Sequence, residues 1–435
     1  MTFDQLVTLA VLIAVVAALI LDKGRADVIA LAGAAFLLVT GIVRPVEVQG
    51  AFASPAIIAL ASLFVIAYAM ELSGLLDAAI EKVVALCQRI GTTGLWVLIG
   101  LAGAASAFLN NTPIVVLSAP VVRDAAKSLG RSPKRYLIPL SYAAVLGGCC
   151  TLIGTSTNLL VNDMASVAGQ PRFSMFEITP VGLAVALAGG LYLLLFSGRL
   201  VNAGDAPKSP ATPAPFVQPE LFGGLVGSAE AFSKRVELQP LRAIVSLTVF
   251  ILVVALAAFN VAPIAACAFG GAVLLILMRI ITADEAYRGL RPDVLMLIAG
   301  MVVLGIALDE TGLASAASHA LIGTMRGMSP TLALVILYGV TVFSTEILSN
   351  ATVAVLFTPL AVSMADAFNV SPRPFLVAIM IAASAAFATP FGYQTNALVY
   401  QMGRYNYVDF LKVGLPLNLI TWAAGVIAIQ VYFPF

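Results

Sequence analysis

Two apolar stretches of this chain are interrupted by asparagine, threonine, glycine and proline at matching places in its two halves, and no other feature limits the fold as much. Residues 109–121 read Leu-Asn-Asn-Thr-Pro-Ile-Val-Val-Leu-Ser-Ala-Pro-Val, and residues 348–360 read Leu-Ser-Asn-Ala-Thr-Val-Ala-Val-Leu-Phe-Thr-Pro-Leu. Further on, residues 151–158 and 389–396 share the pattern Thr-x-x-Gly-x-x-Thr-Asn. Such residues are costly in hydrocarbon unless the backbone groups they free find partners. Recurring at a shift of 238 or 239 residues, they predict an internally duplicated membrane fold with a binding site made of paired broken helices.

The composition agrees. The chain is 61% hydrophobic and 10% charged, where a soluble domain is about a quarter charged. We therefore expect an all-α polytopic membrane protein. Spans are predicted at about 4–21, 26–43, 54–72, 136–168, 176–197, 240–258, 262–281, 292–309, 373–402 and 412–432. Asp4 stands where a signal peptide carries basic residues, so the first stretch reads as a span rather than a cleaved leader. Segments 93–122 and 330–362 are too long for one span and too short for two. Both are expected to be re-entrant hairpins with their asparagines at the tip, each preceded by an amphipathic stretch (75–91 and 313–327).

This divides the chain into a first repeat (1–198), a Pro- and Ala-rich linker (199–239) and a second repeat (240–435). Five spans per half make the repeats inverted. With both termini outside, all but four of the 23 Lys and Arg fall on the cytoplasmic side, the four being Arg44, Arg172, Arg326 and Arg373. The first hairpin then enters from the cytoplasm and the second from outside. The linker reads as a mobile cytoplasmic tether.

No Lys or Arg lies in a predicted span interior or at a hairpin tip. An anion at the centre would need helix N-termini, each offering free N–H groups and about half a positive charge. Asn111 or Thr112, followed by Pro113, reads as an N-cap with proline at the first helical position. Asn350 opens the matching arm, and Thr157-Asn158 and Thr395-Asn396 restart helices after Gly154 and Gly392. The same breaks leave orphan carbonyls, which with Ser, Thr and Asn oxygens form a neutral cage suited to sodium. Glu346, near the second tip, is either a proton relay or a structural acceptor for nearby backbone. Cys87, Cys149, Cys150 and Cys267 have no metal-ligand spacing with the single His319.

These motifs resemble the divalent anion/sodium symporter family of the ion transporter superfamily over nearly the whole chain. The family's Ser-Asn-Thr signature appears as Asn110-Asn111-Thr112 and Ser349-Asn350-Ala351. The runs Gly-Thr-Ser-Thr-Asn-Leu-Leu-Val (154–161) and Ala-Thr-Pro-Phe-Gly-Tyr-Gln-Thr-Asn (388–396) are most similar to its sulfate-transporting branch. The resemblance implies one sodium site at Ser106, Asn110, Asn111 and Gly154, and a second at Thr345, Ser349, Asn350 and Ala388, with Asn158 and Asn396 beside the breaks. It implies substrate contacts at Asn111, Thr112, Thr155, Asn350, Thr389 and Pro390. It also implies a homodimer in a bacterial plasma membrane, an elevator-like movement, and a small anionic substrate carried with sodium. Sulfate comes first and a C4-dicarboxylate second; no organic cofactor, nucleic acid or enzymatic step is expected. A cation/proton antiporter would need buried titratable groups, for which Glu346 is the sole candidate.

Overall fold

The structure, a computed structural model, describes residues 2–20, 25–75, 78, 91–201, 237–259, 261–313, 328–390 and 392–435. The predicted amphipathic stretches and most of the linker, with Cys87 and His319, lie outside the described residues.

Long apolar runs without competing turn chemistry give helices, and every regular element among the described residues is helical. The first half contains α1 (Phe3–Ile20), α2 (Ala26–Val39), α3 (Pro45–Phe52), α4 (Pro55–Leu72), α5 (Thr92–Ser106), α6 (Asn111–Ser128), α7 (Lys134–Gly148), α8 (Ser156–Val167) and α9 (Thr179–Tyr192). The second contains α10 (Pro240–Ala258), α11 (Ile264–Leu277), α12 (Ala283–Gly289), α13 (Pro292–Glu310), α14 (Pro330–Ser344), α15 (Asn350–Phe368), α16 (Arg373–Ala382), α17 (Gln394–Gly403) and α18 (Tyr407–Tyr432). The short helices α3 and α12 were not anticipated. Among the described residues, five helical stretches are long and apolar enough to cross a membrane by themselves, or six if α12 and α13, bent by 60°, count as one. The remaining apolar helices among the described residues are shorter, and the predicted spans 136–168 and 373–402 are each split in two.

Both tip segments break where the polar residues sit, at 107–110 and 345–349. The halves also stop their second arms alike. Gly130 (φ 64°) and Asn369 (φ 53°), equivalent under the repeat, both take the left-handed conformation just beyond α6 and α15. Glycine and asparagine tolerate that conformation best. Two packing groups result. In one, α2 packs along α13, and α4 packs against α10, α11 and α12. In the other, α5 and α6 pack on α7, α14 and α15 on α16, and α9 against α18. The groups meet where α8 touches α4 and α13.

Outward faces remain apolar. On α9, Leu183, Leu187 and Leu191 are exposed at spacings of four, which puts them on one helix face. On α10, Leu241, Ile244, Ile251 and Leu252 are exposed while Ala243, Ser246, Val249 and Val253 are buried. Exposed apolar faces of this extent need hydrocarbon around them, so the chain is an integral, multi-pass membrane protein.

Glycine permits the closest approaches around the breaks. A Cβ on Gly147 would lie 1.9 Å from the Gly103 carbonyl oxygen, where α7 crosses α5. A Cβ on Gly414 of α18 would lie 1.9 Å from the Phe387 carbonyl, and one on Gly182 of α9 would lie 2.3 Å from that of Cys149. Each break thus has a helix pressed against its backbone. Gly147→Ala or Gly414→Ala should therefore destabilise the protein by about 3 kcal/mol or more. Gly100→Ala, where a Cβ meets nothing within 4 Å, should be neutral or gain up to about 1 kcal/mol. Thermal unfolding in detergent gives the comparison, and equal melting for all three variants would contradict these close approaches.

Candidate functional site

The two tips are closed by the same device. Ser349 caps α15, its hydroxyl accepting the Thr352 N–H at 3.2 Å. The Asn110 side chain caps α6 by accepting the Thr112 N–H at 3.3 Å. The caps are therefore Asn110 and Ser349, and Asn111 and Asn350 are the first helical residues. This corrects the predicted capping at Asn111 or Thr112 and moves Pro113 to the third position of its helix. From the first position each asparagine turns back into the tip. Asn111 Oδ1 accepts from the Ser106 hydroxyl, and Asn350 Oδ1 from the Thr345 hydroxyl at 2.8 Å. The Thr345 hydroxyl is also 2.7 Å from the Ala383 carbonyl, which ties the second tip to the second break.

The breaks, 149–155 and 383–393, are built alike and explain their shared motif. The Thr151 hydroxyl donates to the Ala107 carbonyl and accepts the Gly154 N–H at 3.1 Å. The Thr389 hydroxyl donates to the Glu346 carbonyl at 3.1 Å and accepts the Gly392 N–H at 3.0 Å. Asn158 Nδ2 donates to the Thr151 carbonyl at 2.9 Å, and Asn396 Nδ2 donates to the Ala386 carbonyl at 2.8 Å. In each motif the threonine joins break to tip, and the last asparagine reaches back to a freed carbonyl. The glycine fits beside backbone, since a Cβ on Gly154 would lie 2.5 Å from the Gly148 carbonyl. The helices restart at Ser156 and Gln394, each one residue before the predicted Thr157 and Thr395; the Thr155 side chain caps the first, and Tyr393 holds the cap position of the second without a side-chain bond.

Three departures from this symmetry concern charge and valence. First, Glu346 stands where the other half has Ala107. Its carboxylate accepts the N–H groups of Phe387, Ala388 and Thr389 and the Asn418 amide, all at 2.7–2.8 Å. Second, Asn396 Oδ1 accepts from the Ser141 hydroxyl at 2.7 Å. The position equivalent to Ser141 is Ile379, and Asn158 Oδ1 is buried with no partner. Third, Asn111 Nδ2 donates to the Tyr393 hydroxyl at 3.0 Å. The position equivalent to Tyr393 is the shorter Thr155, and Asn350 Nδ2 is buried with no partner. An unpartnered buried polar atom costs about 1–3 kcal/mol. Here one half leaves an oxygen acceptor free and the other an N–H donor.

All four helix N-termini line one cavity of about 330 Å³, within the range of small-molecule sites. Asn110 and Thr112 come from α6, Thr155 to Thr157 from α8, Ser349 to Ala351 from α15, and Gly392 to Gln394 from α17. The remainder of the wall is Ile347 and Leu348 of the second tip and Phe64 of α4, together with Arg25, Asp27, Arg291, Asp293, Val294 and Leu297 at or near the starts of α2 and α13.

Of the sequence-predicted residues, Asn110, Thr112, Thr155, Ser349 and Asn350 line the cavity. Ser106, Asn111, Asn158, Thr345 and Asn396 are buried behind it in the network just described. Gly154 lines a small neighbouring space that Asn110 and Ser156 also border. Ala388, Thr389 and Pro390 are not in the wall, and the hydroxyl and N–H of Thr389 are committed to Glu346 and Gly392. The cavity meets the second break just beyond them, at Gly392, Tyr393 and Gln394. Gln394 Oε1 also accepts from the Thr112 hydroxyl at 3.3 Å. Thr352, buried and bonded to Ser349 at 2.7 Å, does not replace the hydroxyl missing at Ala351. Sequence reasoning missed Tyr393, Gln394 and the arginines. The signal for the arginines was an Arg-x-Asp repeated before two spans, Arg25-Ala26-Asp27 and Arg291-Pro292-Asp293.

The model of the citrate transporter family matches residues 16–370 and 347–435. Sodium/sulfate cotransporter 1 of Chlamydomonas reinhardtii is 35% identical over 35% of this chain and 18% of its own length. The sodium-dependent dicarboxylate transporter SdcS of Staphylococcus saprophyticus is 24% identical over 90% of this chain and 79% of its own. The crystal structure of the YdaH transporter of Alcanivorax borkumensis, described as having an unusual topology, shares the fold with a TM-score of 0.62 at 15% identity, covering 88% of this chain and 87% of that one. The chain belongs to the citrate transporter family, and is a transporter rather than an enzyme.

Proposed function

We propose that the chain is a secondary active symporter in which an inward sodium gradient drives uptake of a small divalent anion, with sulfate as first substrate. The observation that carries this reading is the convergence of four helix N-termini on one cavity whose tips bear no basic side chain. Their N–H groups and dipoles favour negative charge. Asn350 Nδ2 is a free donor on the anion side, and Asn158 Oδ1 a free acceptor for a cation. Sodium bound beside the cavity lowers the cost of placing a dianion there, and this couples the two ligands. The named sodium coupling of the sulfate and dicarboxylate relatives supports the same coupling here.

Sulfate is favoured over a C4-dicarboxylate by the asymmetry of the tips. A dicarboxylate presents two charged ends and calls for two matched clamps. The first tip offers the Thr112 hydroxyl, while the second has Ala351 at that position. A compact tetrahedral oxyanion needs only one such cluster. The dicarboxylate reading keeps the support of a relative that aligns over most of the chain. Proton coupling through Glu346 is disfavoured, since its carboxylate oxygens are already engaged by four N–H donors at the second break. The ten-span inverted topology, the two re-entrant hairpins, the homodimer and an elevator movement of the hairpin group against the α2–α4 and α10–α13 group complete the proposal.

In proteoliposomes, replacing external sodium with choline at fixed pH should abolish sulfate uptake. Uptake driven by a pH gradient without sodium would instead make Glu346 a proton carrier. Excess thiosulfate or molybdate should compete with labelled sulfate, and inhibition by succinate or citrate but not by these oxyanions would reverse the substrate order. Asn158→Ala should raise the sodium concentration for half-maximal uptake about ten-fold, equivalent to about 1.4 kcal/mol; an unchanged sodium curve would remove Asn158 from the cation site. Glu346→Gln places an amide N–H against a backbone N–H and should lower the melting temperature by several degrees, at about 2–4 °C per kcal/mol. Unaltered melting would show that the second break does not depend on the carboxylate.

A further inference from the structure

The cavity wall carries four charged side chains, and they come from two Arg-x-Asp sequences at the starts of the paired helices α2 and α13. Arg25 is held by Asp27 through two parallel bonds, Nε–Oδ1 at 3.1 Å and Nη2–Oδ2 at 2.8 Å. Arg291 reaches Asp293 through one long bond of 3.4 Å. The Arg25 side chain is 50% exposed, and Arg291 is 20% exposed. Asp27, and to a smaller degree Asp293, raises the pKa of Arg25, so the guanidinium keeps its charge.

The pairing has an unusual consequence for an incoming anion. Each aspartate lies in the first turn of its helix, where free N–H groups and the helix dipole already stabilise a carboxylate. An arginine can therefore turn from its aspartate to an oxyanion while the aspartate keeps favourable surroundings. Guanidinium binds oxyanions through paired N–H donors. At rest the two pairs sum to no net charge, so they do not trap an anion permanently. Both arginines belong to the helix group outside the hairpins, yet share the cavity with the hairpin tips.

We propose that Arg25 and Arg291 form a second anion station at the rim of the cavity, occupied briefly by a divalent oxyanion passing between the hairpin tips and water. The station deepens the symporter reading and rests on it. It would determine the rate of passage rather than the affinity for sodium. By charge distribution it faces the cytoplasmic side, where most Lys and Arg lie.

The experiment is sodium-driven uptake of labelled sulfate by the full chain in proteoliposomes, with labelled succinate in parallel. The double variant Arg25→Gln/Arg291→Gln should lose about ten-fold in maximal rate with the sodium half-saturation unchanged, and Arg25→Lys/Arg291→Lys should recover most of that rate. Wild-type uptake should fall with ionic strength between about 0.05 and 0.5 M, the range over which exposed charges become screened, more steeply than that of the glutamine variant. Asp27→Asn/Asp293→Asn breaks the same ion pairs but leaves the arginines, and should keep or increase the rate. Equal loss in the asparagine and glutamine variants would make the pairs merely structural and overturn the station. So would wild-type rates and salt dependence in the glutamine variant. Absence of wild-type uptake of either anion would overturn the symporter reading itself, and the station with it.

Discussion

Everything at the centre of this protein depends on finding partners for backbone groups that a broken helix releases where water is scarce. An unpaired amide or carbonyl there costs several kcal/mol, and two breaks and two tips release many. The chain answers with short side chains close to the break. Thr151 and Thr389 link break to tip, Asn158 and Asn396 reach back to freed carbonyls, and Glu346 gathers three consecutive N–H groups. The helices that start beside these devices line the cavity with their N-termini. The hydrogen bonds that satisfy the breaks thus also shape the cavity.

The duplicated motifs made much of this legible from sequence. A Thr, a Gly and an Asn at fixed spacing in both halves announced a local structure before its bonds were known, and the breaks fall there. Three kinds of feature were not legible. Cap positions slipped by one or two residues, because Asn110-Asn111 offers two adjacent capping side chains and only packing chooses between them. The split of spans 136–168 and 373–402 into short helices could be placed, but not the length of irregular chain between them. The rim arginines were hidden because they stand at the predicted span ends, where basic residues are ordinary. Only the pairing of α2 with α13 brings Arg25 and Arg291 to one cavity. Thr389 and Pro390 are the reverse case, lying inside the motif but outside the wall of the cavity.

The two packing groups differ in how they are joined. Within the hairpin group the halves are stitched together by polar bonds, Asn111 to Tyr393, Thr112 to Gln394 and Ser141 to Asn396. Glycine crossings press α9 and α18 onto the breaks. The contact with the other group runs mainly along α8, α4 and α13. Polar bonding is thus dense inside one group, and the seam between the groups is narrower.

The two halves share their motifs and differ at a few decisive positions. A carboxylate sits behind the second tip, where the first has the methyl group of Ala107. The second tip also ends in Ala351 where the first presents Thr112. The chemistry of the two walls is therefore unequal although the backbone is nearly two-fold. A tip transplanted from one half to the other would rebuild the turn but not the character of the surface it forms.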